Sequence, residues 1–146
     1  MFCNNLSEPE YNCIIDLWER SVKATHGFLN PDYINRLRPL VLKYLRQIEI
    51  CHVKTADSQI AGFIGTADNK IEMLFVHPDY FNQGFGGSLL KYAIQNKGVS
   101  MVDVNEQNEK ALKFYLNKGF RVLNRSELDP CGEPYPIVHM ILKNEE

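Results

Sequence analysis

A chain of 146 residues, 45% hydrophobic and 23% charged, has the size and balance of one folded domain with a single sizeable core. A net charge of −2 and a pI near 6.1 leave no basic field for a nucleic-acid backbone, and no apolar run reaches the length that spans a membrane. Cys3, Cys13, Cys51 and Cys131, like His26, His52, His77 and His139, are scattered without metal-ligand spacing. No metal site is therefore expected, and without a secretory-type leader the default expectation is a cytoplasmic protein.

In chain order, Ser7 followed three residues later by Glu10 is a capping box, and Ile14, Leu17, Trp18 and Val22 form the apolar stripe of a helix running to about Thr25. Gly27 ends it. Asn30-Pro31 starts a second helix with a cap and a proline at its first position, with Tyr33, Ile34 and Leu37 on the buried face. Pro39 is expected to break that helix in two, the later piece carrying Leu40, Val41, Tyr44 and Leu45. Residues 48–53 and 60–66 flank Ala56-Asp57-Ser58-Gln59 and read as a β-hairpin. Ala67-Asp68-Asn69 then turns into a third strand that Pro78 stops. A helix after Gly84 ends at Gly98, residues 99–104 form the next strand, and that strand–helix–strand unit should be parallel and right-handed. A short helix over 108–118 closes at Gly119, and residues 120–126 and 137–142 pair as the last two strands. Antiparallel strands followed by one parallel crossover, with helices before and between, give a mixed α/β (α+β) sheet covered on both faces.

The most informative stretch runs from Leu74 to Leu90. Ile71, Met73, Leu74, Phe75 and Val76 make the strand, and Gly84, Gly86 and Gly87 mark a turn into a helix defined by Leu89, Leu90, Ala93 and Ile94. Free N–H groups of residues 83–88, at the positive end of the helix dipole, suit an anion such as a phosphate or pyrophosphate. A Walker loop is excluded because no Gly-Lys-Ser/Thr follows, and a dinucleotide fingerprint because the glycines are misplaced.

Phe81-Asn82-Gln83-Gly84-Phe85-Gly86 after Val76-His77-Pro78 resembles the Arg/Gln-x-x-Gly-x-Gly/Ala signature of the GCN5-related N-acetyltransferases, with Phe81 standing where the family has Arg or Gln. A second stretch, from Val104 to Phe120, resembles the family's Asn-x-x-Ala-x-x-Phe-Tyr-x-x-x-Gly-Phe. Ser21 to Leu29, with Arg125 to Asp129 and Gly132 to Pro136, resembles one bacterial branch, the YjaB-type acetyltransferases, so the likeness covers nearly all of residues 1–146, read as a single N-acetyltransferase domain. The resemblance implies a first strand within residues 1–6 and a mostly antiparallel sheet of six to seven strands. Its two parallel central strands splay to admit the pantetheine arm of acetyl-CoA.

It further implies that Leu74, Phe75, Val76, Asn82, Gln83, Gly84, Phe85, Gly86, Gly87, Ser88, Asn105 and Asn108 bind the cofactor. Tyr115 would protonate the leaving thiolate, although spacing alone favours reading Phe114-Tyr115 as a pair of core aromatics. Asn108 would cap its helix, bond the pantetheine or acetyl end, or both. Glu72, if it shares a face with Leu74 by strand alternation, is the candidate general base for an amine acceptor; an exposed strand glutamate explains it as well. His26, Tyr33, Glu133, Tyr135 and His139 fall in segments that the family places around the acceptor cleft. The expected partners are acetyl-CoA and an amine acceptor, either a protein lysine or a small amine, with no nucleic acid and no membrane, in a monomer or homodimer. The alternative is a CoA-binding module without turnover.

Overall fold

The computed structural model describes residues 2–3 and 6–143. Its elements are β1 (Phe2–Cys3), α1 (Glu8–Thr25), α2 (Pro31–Leu45), β2 (Glu49–Lys54), β3 (Ile60–Ala67), β4 (Lys70–Val76), α3 (Phe85–Lys97), β5 (Met101–Asn105), α4 (Glu109–Asn117), β6 (Phe120–Ser126) and β7 (Ile137–Leu142). A single 3₁₀ turn, Pro78–Tyr80, lies between β4 and α3. Of the first strand expected over residues 1–6, Met1, Asn4 and Asn5 lie outside the described residues, while Phe2 and Cys3 pair with His52 and Cys51.

The strands form one sheet in the order β1-β2-β3-β4-β5-β7-β6, and only β4 and β5 run parallel. The expected mixed architecture is therefore the observed one. The capping box of α1 is formed: Ser7 N–H donates to Glu10 Oε1 at 3.1 Å and Glu10 N–H to Ser7 Oγ at 3.3 Å.

Two local expectations are corrected. Pro39 does not divide α2, which runs unbroken through it. Pro39 and Asn35, four residues before it, both lie on the exposed face, so water can take the carbonyl that proline leaves unbonded. Glu72 does not share a face with Leu74. The β3–β4 register slips so that Gly65 opposes Met73 and Thr66 opposes Ile71, leaving Glu72 as the extra residue of a bulge. Ile71 and Leu74 consequently belong to one apolar cluster and Met73 and Phe75 to the other.

Those clusters are the two cores, one on each side of the sheet. Ile14, Trp18 and Val22 of α1, with Ile34 and Leu45 of α2, pack on Ile50 and Phe63. Leu89, Leu90 and Ala93 of α3, with Tyr115 of α4, pack on Ile64, Ile71, Val102, Val104, Phe120 and Met140. Full burial of each large side chain contributes roughly 1.5–3 kcal/mol. None of the described helices is long and apolar enough to cross a membrane.

One covalent link had no sequence signal: Cys3 and Cys51, 48 residues apart but directly opposed on β1 and β2, form a disulfide. Oxidising compartments preserve such bonds and cytosolic thiol buffers reduce them.

Candidate active site

β4 is a central strand, yet only Ile71 in it is buried. The cause is its partner: β5 pairs with it only at Lys70↔Met101 and Ile71↔Val102 and then diverges. From Glu72 onward the β4 edge that faced β5 is open. A wedge-shaped gap results, with the Glu72 bulge beside its apex and the turn after Val76 at its mouth.

At the mouth, Asn82 and Gly84 take left-handed backbone, φ 62° and 86°, and turn the chain sharply into α3. The first intrahelical bond is Ser88 N–H to the Gly84 carbonyl at 3.0 Å, which leaves the amides of Phe85, Gly86 and Gly87 without helical partners. No side chain caps this helix and its first turn has no acid, whereas α1, α2 and α4 each have both. An uncapped, acid-free N-terminus fits an incoming anion. Phe114 and Val76 lie 3.7 and 3.8 Å from where a β-carbon on Gly86 would sit, so the helix start, the strand end and α4 converge there.

Lys118, after the last turn of α4, holds its ammonium 3.3 Å from where a β-carbon on Gly87 would project, and 5.7 Å from the Phe114 ring centroid. Nothing in the sequence pattern singles out this lysine. Only the folding of α4 beside α3 brings it to the glycine turn.

Tyr115 is 6% exposed and packs edge-on against Phe114 and Phe120. Burial pushes its phenol well above the ordinary range, so it stays protonated at every physiological pH. Asn108 caps α4, its Oδ1 accepting from Ala111 N–H at 3.2 Å. Tyr44 of α2 lies near Glu72, and burial first, then that carboxylate, pushes the Tyr44 phenol up to about 12.

The residues expected around the acceptor form two groups. His26, Phe28, Tyr135 and Tyr33 make a continuous aromatic row, with centroid separations of 5.3, 6.2 and 5.2 Å, joining the α1–α2 corner to the β6–β7 loop. Tyr33 donates to Asp129, whose other oxygen accepts from the amides of Cys131 and Glu133, both at 2.9 Å. Burial, reinforced by Asp129, raises the Tyr33 phenol. Glu133 thus enters through its backbone. His139 stands apart on β7, its Nδ1 2.7 Å from Asp103 and its Nε2 2.7 Å from Ser126, while Lys70 bonds the same aspartate at 2.6 Å. Although burial opposes it, these two partners hold the Asp103 carboxyl below its ordinary range.

Two cavities lie along this face. One of about 250 Å³ is lined by Leu29, Tyr33, Leu37 and Asn105, and one of about 270 Å³ by Asp103, Ser126, Leu128 and His139. Asp129, Pro130 and Ile137 line both. Asn105 therefore faces the acceptor side of β5 in this arrangement. Among the described residues no cluster of three or more His, Cys, Asp or Glu is arranged to hold a metal ion.

Comparison with known proteins places these features in context. Residues 47–122 match the acetyltransferase (GNAT) domain model. The peptidyl-lysine N-acetyltransferase YjaB of Salmonella typhimurium is 37% identical over 128 residues, 88% of each chain. The solution structure of apo YjaB from Escherichia coli superposes with a TM-score of 0.87 at 32% identity, covering 99% of this chain and 100% of that one. A protein from Bacillus anthracis described as a streptothricin acetyltransferase, solved with acetyl coenzyme A, superposes with a TM-score of 0.59 at 25% identity, over 67% of this chain and 63% of that one.

Proposed function

The chain belongs to the acetyltransferase (GNAT) domain family and is an acetyl-CoA-dependent N-acetyltransferase, and from that premise we propose that it acetylates the ε-amine of protein lysines by direct attack in a ternary complex. The observation that carries this reading is the open β4 edge, flanked by the uncapped start of α3 at one end and the Glu72 bulge at the other.

In this reading the pantetheine arm pairs with the free edge of Leu74, Phe75 and Val76. The pyrophosphate meets the amides of residues 83–88, with Lys118 supplying the cation that Phe81 does not. A β4 amide directed into the gap polarises the thioester carbonyl. Glu72, set beside the apex by the β4 bulge, takes a proton from the acceptor ammonium, directly or through water, and the amine attacks the carbonyl carbon. The tetrahedral intermediate collapses and expels the thiolate. Because burial makes Tyr115 a weaker acid, its first contribution is a strong hydrogen bond to the developing thiolate. As the sulfur's charge grows in the same water-poor surroundings Tyr115 gives it the proton, and the second proton of the attacking nitrogen, released through water as the amide forms, returns to the Tyr115 oxygen.

Tyr135 and Phe28, half-buried beside the stacked and buried Tyr33, offer aromatic faces to a cationic side chain, which fits the peptidyl-lysine activity of the relatives. A cytoplasmic setting goes with the supply of acetyl-CoA, and there Cys3 and Cys51 would be held as thiols. The test is thiol release from acetyl-CoA in the presence of lysine peptides, polyamines and aminoglycosides. Release with lysine peptides is expected; release with polyamines or aminoglycosides but not with lysine peptides would refute the proposal.

A further inference from the structure

His26 ends α1 and is 8% exposed. Its ring is not open to an acceptor, because both nitrogens are engaged. Nδ1 lies 2.7 Å from Thr25 Oγ1, and Nε2 lies 3.3 Å from Asn108 Nδ2, across 82 residues of sequence. The directions of these bonds follow from the partners beyond them. Thr25 Oγ1 donates its only proton to the Ser21 carbonyl at 2.7 Å, so it can only accept from the imidazole, and Nδ1 carries the hydrogen. Asn108 Oδ1 is taken by Ala111 N–H, so its amide nitrogen points at His26 and donates to a bare Nε2. One directed chain runs from the cap of α4 to the last turn of α1. It is compatible with a single tautomer and a single amide orientation.

The same ring contacts Phe28 at 5.3 Å and Phe75 of β4 at 6.4 Å. His26 thus sits where the aromatic row of the acceptor side meets the strand and helix cap of the cofactor side. Burial pushes its pKa down to about 4, which makes it a poor proton acceptor at neutral pH but a stable hydrogen-bond acceptor.

We propose that His26 is a positioning residue for acetyl transfer: its Nε2 fixes the side-chain amide of Asn108, and through it the first turn of the helix that carries Tyr115, while its ring anchors the acceptor-side aromatic row to that cap. This rests on the reading above for what Asn108 and Tyr115 do to the acetyl group.

The test combines kinetics with a measurement independent of turnover. In His26→Phe, which fills the space but offers no acceptor, kcat should fall roughly ten-fold, as expected for one misdirected hydrogen bond, with the melting temperature tracked in parallel. His26→Gln, whose amide oxygen can replace Nε2, should recover most of that loss. His26→Phe should add little in an Asn108→Ala background, because the two act as a unit. The pH dependence of kcat/KM should keep its shape in His26→Gln. Losses that multiply, an unchanged kcat per folded molecule, or an ionisation missing from the pH profile would each overturn the positioning role. Long-range ¹H–¹⁵N spectra of the free protein should show the Nδ1–H tautomer and an Asn108 side-chain amide that shifts in His26→Phe. An Nε2–H tautomer or an unmoved amide refutes the link itself. A wild-type protein that transfers no acetyl group to any amine refutes the functional reading instead.

Discussion

The two walls of the gap are built from different materials. On the cofactor wall, the open edge of β4 and the first turn of α3 present main-chain groups, set by the left-handed Gly84 and Asn82, and the side chains there are largely apolar: Leu74, Val76 and Phe114. On the acceptor wall the contacts that join separate elements are side chains held by others far away in sequence, as in Tyr33–Asp129, 96 residues apart, and His139–Asp103, 36 apart. The first wall depends on backbone dihedrals and on the lack of a β-carbon. The second depends on pairs, and removing Asp129 would leave the hydroxyl of the buried Tyr33 unsatisfied.

The sharpest exception to this division in the proposed mechanism is Tyr115, the side chain to which the cofactor wall would owe its chemistry. Tyr115→Phe keeps the packing and removes the hydroxyl, so kcat is expected to fall on the order of 10³-fold while acetyl-CoA affinity by calorimetry stays nearly constant. An undiminished kcat would return Tyr115 to the role of a core aromatic.

The acceptor wall should show itself in the pH dependence of stability. His26 has a folded pKa of about 4, below its ordinary 6.5, so between these values the unfolded chain binds a proton that the folded chain refuses. Stability contributed by this burial is complete above 6.5 and is lost as pH falls towards 4, by up to about 3 kcal/mol. Denaturant titrations across that range should show the decline in the wild type and a shallower one in His26→Phe.

Glu72→Gln should reduce turnover about 10²-fold with acetyl-CoA binding intact, and the wild-type rate should climb with pH as base and amine deprotonate. A full rate in Glu72→Gln would shift the base to water or another group. Tyr33→Phe frees Asp129 of one partner and is expected to raise the acceptor KM by a factor of about five without touching acetyl-CoA binding. The smallest effects belong to the backbone-built wall. Gly84→Ala, at φ 86° with open space around the β-carbon, should weaken acetyl-CoA binding and stability through roughly 1 kcal/mol of backbone strain, whereas Gln83→Ala should change neither measurably.

This division also accounts for what was legible in the sequence. A backbone-built site needs a local arrangement of glycines between a strand and a helix, and such an arrangement is written contiguously, so the glycine turn and the helix after it were readable from Val76 to Gly98. Capping and alternation are local as well, and they delivered the remaining elements except β1, which only the family resemblance implied. The bulge at Glu72 was not legible because it arises from register with β3. Pro39 misled because the exposure of Asn35, which rescues the unbonded carbonyl, is a property of the packed helix. Lys118 was missed because its place beside Gly87 is set by helix packing across 31 residues. His26 and Asn108 were each singled out, but the bond between them is visible only once α1 and α4 are brought together.

The central claim is direct transfer of an acetyl group from a thioester lying along β4 to a lysine amine. The most direct measurement is mass spectrometry of peptide and protein after incubation with acetyl-CoA and a lysine peptide. The account predicts acetyl on the peptide ε-amine, no acetyl on the enzyme, and release of one thiol per acetylated peptide. An acetylated enzyme residue that passes its label to the peptide, or no acetylation of any amine despite bound acetyl-CoA, would contradict it.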